Sequence, residues 1–428
     1  MMTTKSLSAL KFIRCLKVAP VCSTHSHFHN ALQNNYCTGS SNGDENDKSK
    51  RKPYDVDPRS LKSFVSDMYT GQSDEAVEVF PSDEVDLNEL ANTKKSHTDK
   101  SNIANRSGTD PSLTSVLMFP GQGSHFVGMG KKLQHIPSAR DVYDRASGIL
   151  GYDLLELCLK GPHSKLSKTE FSQPAIVVTS LAAVEKLREE KPEAVDACIA
   201  AIGFSVGEIT ALMFAETLSF EDGISLIRLR ARAMQRDSEV VSSGMMTAMC
   251  DMNTYLKEAM LAAREYCKTK AGIENPVCNV TAFVGTDIKV IAGHTEALDF
   301  MQETQKDFGI RHLKRLNVSG AFHTSLMKEA SRDVAKSLKD KKFNVGKVPV
   351  YSNVTSNAYS TNHKQIKRNV YEQIVKPIKW EQIIKNIYQR SPGTAYPNTY
   401  EVGPRRSLGH LLRSTDKKAV RKYKAVDV

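Results

Sequence analysis

Residues 202–210 read Ile202-Gly203-Phe204-Ser205-Val206-Gly207-Glu208-Ile209-Thr210, or IGFSVGEIT. The apolar run CIAAIGF that leads into this stretch has the character of a buried strand, and EITALMFAE that leads out of it suits a buried helix. A serine held in G-x-S-x-G between a strand and a helix is the pattern of a nucleophile elbow, where a tight turn lifts the hydroxyl out of the sheet. Glycines two positions before and after the serine let the strand and helix backbones approach each other. Ser205 is therefore a candidate nucleophile. The competing reading is an ordinary strand-turn-helix in which the serine caps the helix.

Working outward, LTSVLMF and KVPVYSNV also read as strands, and amphipathic helical patterns alternate with them. This alternation predicts an α/β fold built on a largely parallel sheet. The texture changes between Gly244 and Leu316. GMMTAMC, VCNVTAFV, DIKVIAG and RHLKRLNV are strand-like, and NTYLKEAMLAAREYC and TEALDFMQETQKDF are helical. Their order, βαββαβ, predicts a small ferredoxin-like insert at 244–316 within a large subdomain at 113–243 and 317–412, followed by a basic tail at 413–428.

The first 43 residues hold no acidic side chain but carry Lys5, Lys11, Arg14 and Lys17 among many Ser, Thr, Leu and Asn. That composition predicts a mitochondrial transit region, since the basic residues interrupt the apolar core that a secretory signal needs. Residues 44–112 are polar and read as a poorly ordered linker. No apolar run is long enough to span a membrane. None of the eight cysteines forms a CxxC pair, which predicts free thiols and no zinc site. The net charge of +11 admits nucleic acid, an acidic protein or a phosphate-bearing small molecule. No nucleic-acid motif accompanies it, so nucleic acid is not expected.

A nucleophilic serine here needs two oxyanion donors. The backbone N–H of Val206 opens the following helix and supplies one. The second is wanted from another loop, and MFPGQGSHFVGMG offers it: Pro120 stops a strand, and Gly121-Gln122-Gly123 turns tightly after it. A phosphate cradle is the alternative, although neither GK[ST] nor GxGxxG is present. In RLRAR, Arg230 lies about 40° from both Leu226 and Met234 on a helical wheel, inside the apolar face. Of the three arginines it is the one expected to point inward, where a buried guanidinium requires a partner.

Taken together, FPGQGS, GFSVGE, LRARAMQ, AFHTSLM, VKPIKW and YEVGP occur in the order and at the approximate spacing of malonyl-CoA:acyl carrier protein transacylases. The chain resembles that family over roughly residues 113–412. The N-terminal composition places the resemblance with its mitochondrial members. The resemblance implies an α/β-hydrolase-like large subdomain with a ferredoxin-like small one, and a ping-pong malonyl transfer that supplies type II fatty acid synthesis. It implies Ser205 as nucleophile and His323 as base, and it places the oxyanion donors at the backbone N–H groups of Gln122 and Val206. Arg230 then pairs with the substrate carboxylate, and the main-chain carbonyl of Gln373 orients the histidine, the Gln373 side chain being read as exposed. It further implies malonyl-CoA and an acidic, phosphopantetheinylated acyl carrier protein as substrates and partners. No metal and no cofactor, a monomer and the mitochondrial matrix complete the expectation. Arg311–Arg315 and the pair Arg405 and Arg406 are candidates for a basic rim facing both partners. A serine esterase would share Ser205 and His323 but would want a carboxylate behind the histidine and no inward arginine.

Overall fold

The computed structural model describes residues 109–428. The expected transit region and all of the expected linker up to residue 108 lie outside these residues. The linker's last residues, 109–112, run into a short 3-10 turn, Pro111–Leu113, capped by the Asp110 carboxylate.

Two sheets organise the described residues. In the first, strands β1 (Ser115–Phe119), β2 (Cys198–Gly203), β7 (Asn398–Val402) and β8 (Tyr423–Val426) lie in the order β2-β1-β7-β8, and every pair is parallel. All five residues of β1 are buried, as expected for a strand covered on both faces. The long helix Thr169–Glu190 is buried over much of its circumference and carries Gln173 and Pro174 in its interior. It packs against helices Pro137–Leu150 and Phe220–Val240, and the core around them includes Tyr143, Trp380 and Tyr388.

The second sheet contains β3 (Ser243–Met249), β4 (Cys278–Gly285), β5 (Ile288–His294) and β6 (His312–Arg315) in the order β4-β5-β3-β6, all antiparallel. Helices Leu256–Thr269 and Thr295–Thr304 complete the βαββαβ order. They close a separate apolar core containing Met246, Ala263, Phe300, Met301 and Leu313. This is the ferredoxin-like arrangement. β4 is tied back to the large unit where Phe283 N–H donates to Ile378 O at 2.9 Å and Ile378 N–H donates to Thr281 O at 2.9 Å.

Two expectations need correction. KVPVYSNV is not a full strand: Val350 makes only a parallel bridge to Ala201, because the chain turns away at Ser352 to deliver Asn353 to the elbow. Residues 413–428 are not an appended basic tail. Helix Ser407–Thr415 runs into them, Ala419 is buried, and Tyr423–Val426 becomes β8 on the parallel sheet. The lysines and arginines give that segment the composition of a tail, whereas Ala419, Tyr423 and Val426 anchor it.

Candidate active site

The elbow lies at the C-terminal edge of the parallel sheet, where loops following neighbouring strands converge. Ser205 sits between β2 and helix Val206–Phe214 with φ 53° and ψ −110°. A non-glycine residue held in such a conformation costs about 1–3 kcal/mol and persists only if its surroundings enforce it. Here they do. A Cβ on Gly203 would fall 1.9 Å from the Gly207 carbonyl carbon, and one on Gly207 would fall 2.2 Å from Phe119 O. The turn therefore closes only with glycine at both positions. Asn353, fully buried, clamps it from outside: Oδ1 accepts from Ser205 N–H at 2.8 Å, and Nδ2 donates to Gly203 O at 2.8 Å.

His323 also has a positive φ, 62°, which turns its ring toward the elbow. Ser205 Oγ and His323 Nε2 are 2.9 Å apart. His323 Nδ1 lies 2.6 Å from the main-chain oxygen of Gln373. A carbonyl only accepts, so Nδ1 carries the proton and Nε2 is left to accept from Ser205. Burial and the charge of Arg230, against the upward pull of the Gln373 bond, lower the histidine pKa to about 4. The imidazole is consequently neutral and able to act as a base at physiological pH.

Arg230, on helix Phe220–Val240, is 1% exposed. Nη1 donates to Gln173 Oε1 at 2.6 Å, while Nη2 donates to Gln373 Oε1 at 2.9 Å and to Ser205 Oγ at 3.2 Å. Both side-chain amides present oxygen to the guanidinium. No carboxylate pairs with it within 4 Å among the described residues, and its Nε has no acceptor. Burial lowers its pKa to about 10, which still leaves it charged. A buried cation held by neutral amides, with an unfilled donor, has the chemistry to receive an anionic group.

Gln122 follows β1. Its side chain donates to Thr169 Oγ1 at 3.0 Å and accepts from Gln173 Nε2 at 3.3 Å, which fixes the loop. The loop presses directly on the elbow: Phe204 N–H donates to Phe119 O at 3.0 Å, and a Cβ on Gly121 would lie 2.6 Å from Phe204 O. Val206 opens the elbow helix, so its N–H has no carbonyl partner within that helix. The structure thus brings Ser205, His323, Arg230 and Gln373 into one hydrogen-bonded cluster, with the Gln122 loop packed against it.

Comparison with known proteins follows the same lines. Residues 116–419 match the model of the acyl transferase domain. The mitochondrial malonyl-CoA-acyl carrier protein transacylase of Mus musculus is 44% identical over 348 residues, covering 81% of this chain and 91% of the mouse protein. The chain belongs to the malonyl-CoA-acyl carrier protein transacylase family. Among solved structures, the malonyl-CoA:acyl carrier protein transacylase of Xanthomonas oryzae superposes with TM-score 0.66 at 25% identity, covering 74% of this chain and 95% of that one. The complex of a type II polyketide acyl carrier protein with its malonyl-transacylase superposes with TM-score 0.63 at 27% identity, covering 74% and 96%.

Within this family's elbow, sequence reasoning missed three supporting residues. Asn353, Glu208 and Tyr359 are brought in from 148, 3 and 154 positions away from Ser205, and nothing local in the sequence marks the two distant ones. The reading of the Gln373 side chain also needs correction, because it is 1% exposed and not a surface group. The basic rim is partly spoken for. Arg311 pairs with Asp251, Arg315 with Asp299 and Arg406 with Asp427, while Arg405 stacks over Phe126. The five described cysteines are all free. No described helix is long and apolar enough to cross a membrane.

Proposed function

We propose that the chain transfers the malonyl group of malonyl-CoA to the phosphopantetheine thiol of an acyl carrier protein through a malonyl ester on Ser205. The observation that carries this reading is the placement of one hydroxyl, Ser205 Oγ, 2.9 Å from a neutral imidazole and 3.2 Å from a buried, carboxylate-free guanidinium. A malonyl group has its carboxylate only two carbon–carbon bonds, about 1.5 Å each, from its thioester carbon. A cation this close to the nucleophile therefore suits an acyl group that short and that charged.

Oγ attacks the thioester carbon as its proton passes to His323 Nε2, and the oxyanion is held by the N–H groups of Gln122 and Val206. The carbon–sulfur bond then breaks, and His323 returns the proton to the leaving thiolate of coenzyme A. In the second half the carrier thiol gives its proton to His323 and attacks the Ser205 ester. Collapse restores the Ser205 hydroxyl and leaves malonyl on the carrier sulfur. Gln373 O holds the histidine tautomer throughout. The malonyl carboxylate on Arg230 offsets the positive charge that opposes imidazolium formation.

The reaction so drawn calls on no metal or redox cofactor, and one chain contains every group it uses. The mitochondrial name of the mouse relative and the N-terminal composition support the mitochondrial matrix as the site of action, in type II fatty acid synthesis. A serine esterase is less well supported, since the group behind His323 is a carbonyl and the pocket holds an inward cation. Incubation with malonyl-CoA and phosphopantetheinylated carrier tests the proposal. Malonyl-carrier should accumulate, and hydrolysis to free malonate without carrier malonylation would overturn it.

A further inference from the structure

Glu208 is fully buried one turn after the nucleophile, and nothing in the reaction drawn above uses it. Its carboxylate accepts from the Tyr359 hydroxyl through Oε1 and from Gln373 Nε2 through Oε2. The same Gln373 Nε2 donates to Ser205 O at 3.0 Å, and its Oε1 accepts from Arg230 Nη2 at 2.9 Å. The orientation of this amide is forced from both ends. Arginine only donates, so the oxygen must face Arg230, and the Ser205 carbonyl only accepts, so the nitrogen must face it and Glu208. Burial raises the Glu208 carboxyl to about 7, against the bonds from Tyr359 and Gln373 and the charge of Arg230, so its negative charge is present mainly above about pH 7.

We propose that Glu208 is a positioning residue for acyl-group selection, which acts through the Gln373 amide to hold Arg230 charged and aimed while leaving its remaining donors, Nε among them, free for the substrate carboxylate. A carboxylate in direct contact with Arg230 would occupy those donors and compete with malonyl. A neutral amide alone would hold the guanidinium in place but supply no counter-charge to a cation buried beside the imidazole. With Gln373 interposed, the counter-charge acts from behind the amide. A burial cost for Glu208 itself follows, and it is met in part by two donors, the Tyr359 hydroxyl and Gln373 Nε2. Gln373 thereby has two separate duties: its main-chain oxygen sets the histidine, and its side chain sets the arginine.

This inference rests on the reading of Arg230 as the partner of the malonyl carboxylate, so three variants of the full chain are compared. Ser205 acylation by malonyl-CoA and by acetyl-CoA is followed by rapid-quench mass spectrometry over a range of acyl-CoA concentrations. Glu208→Gln keeps the shape and removes the charge. The malonyl-to-acetyl ratio of kcat/KM should fall about tenfold, in the range typical of coupling between sites, and mainly through a higher malonyl KM. Gln373→Met keeps the main-chain carbonyl and cuts the link, and the same fall is expected. It also serves as the test if Glu208→Gln does not fold. Proportionate loss with both acyl donors, or an unchanged ratio, would mean that Glu208 only supports the fold, and would overturn the proposal. Arg230→Ala separates the two readings. If it lowers the ratio and Glu208→Gln does not, the Glu208 role fails alone. If it leaves the ratio unchanged, the reading of Arg230 fails and the Glu208 role with it.

Discussion

Nη2 of Arg230 and Oγ of Ser205 stand 3.2 Å apart in a pocket where both side chains are buried. In the proposed reaction this cation would act as a ruler, rewarding only acyl groups whose negative charge sits close to the carbonyl that Ser205 would attack. Arg230→Ala should therefore lower malonyl kcat/KM by at least about 30-fold, the lower end of the cost of unpairing a buried hydrogen-bonded charge. Arg230→Lys should fall between, since it keeps a charge and loses the planar fork. Stopped-flow release of coenzyme A measures both, and equal kinetics in all three proteins would contradict the prediction.

His323 should be neutral well below the pH at which histidine ordinarily titrates. Burial and Arg230 hold its pKa near about 4. Nitrogen-15 NMR of the imidazole, assigned with His323→Ala, should show the Nδ1–H tautomer at pH 5.5. A midpoint between 6 and 7 would contradict this. The folded pKa lies below the unfolded one, so the unfolded chain takes up this proton first. The contribution of His323 is complete above about pH 6.5 and is lost as pH falls toward about 4.

Asn353→Ala would leave Ser205 N–H and Gly203 C=O without their buried partner. The expected loss is about 1–3 kcal/mol for each unsatisfied group, read as a lower urea midpoint. Acylation should slow as well, because the positive φ at Ser205 is no longer enforced from outside the turn. An unchanged midpoint and rate would show that the glycines alone define the elbow.

Phe204 packs edge-on against Trp380, with ring centroids 5.5 Å apart. Its side chain makes none of the hydrogen bonds in the cluster, and the proposed proton transfer uses His323, from far along the chain. Phe204→His should retain malonyl transfer, since a ring still fills the space. Phe204→Ala should lose the ring pair and destabilise the protein by about 0.5–1.5 kcal/mol beyond the area exposed. Loss of transfer in Phe204→His, with normal folding, would assign this position a chemical role.

Much of this was legible in the sequence because it is local. G-x-S-x-G between a strand and a helix announced the elbow, the βαββαβ order announced the second sheet, and a helical wheel turned Arg230 inward. His323 was legible only through family resemblance, since a histidine 118 residues from Ser205 carries no local mark. The group that His323 Nδ1 meets was illegible from local sequence: it is a main-chain carbonyl, which every residue possesses. Asn353, Glu208, Tyr359 and the Gln373 side chain were hidden for a related reason. Their roles exist only once hydrogen bonds between distant segments have formed. Strand β8 was hidden by its own charges, because the lysines around Tyr423 and Val426 read as a solvated tail until a sheet edge was available to pair with.

The most direct measurement is intact-protein mass spectrometry after brief mixing with malonyl-CoA, followed by peptide mapping. One malonyl adduct should appear on Ser205, vanish in Ser205→Ala and discharge when phosphopantetheinylated carrier is added. An adduct on another residue, or carrier malonylation that survives in Ser205→Ala, would contradict a reaction centred on this elbow.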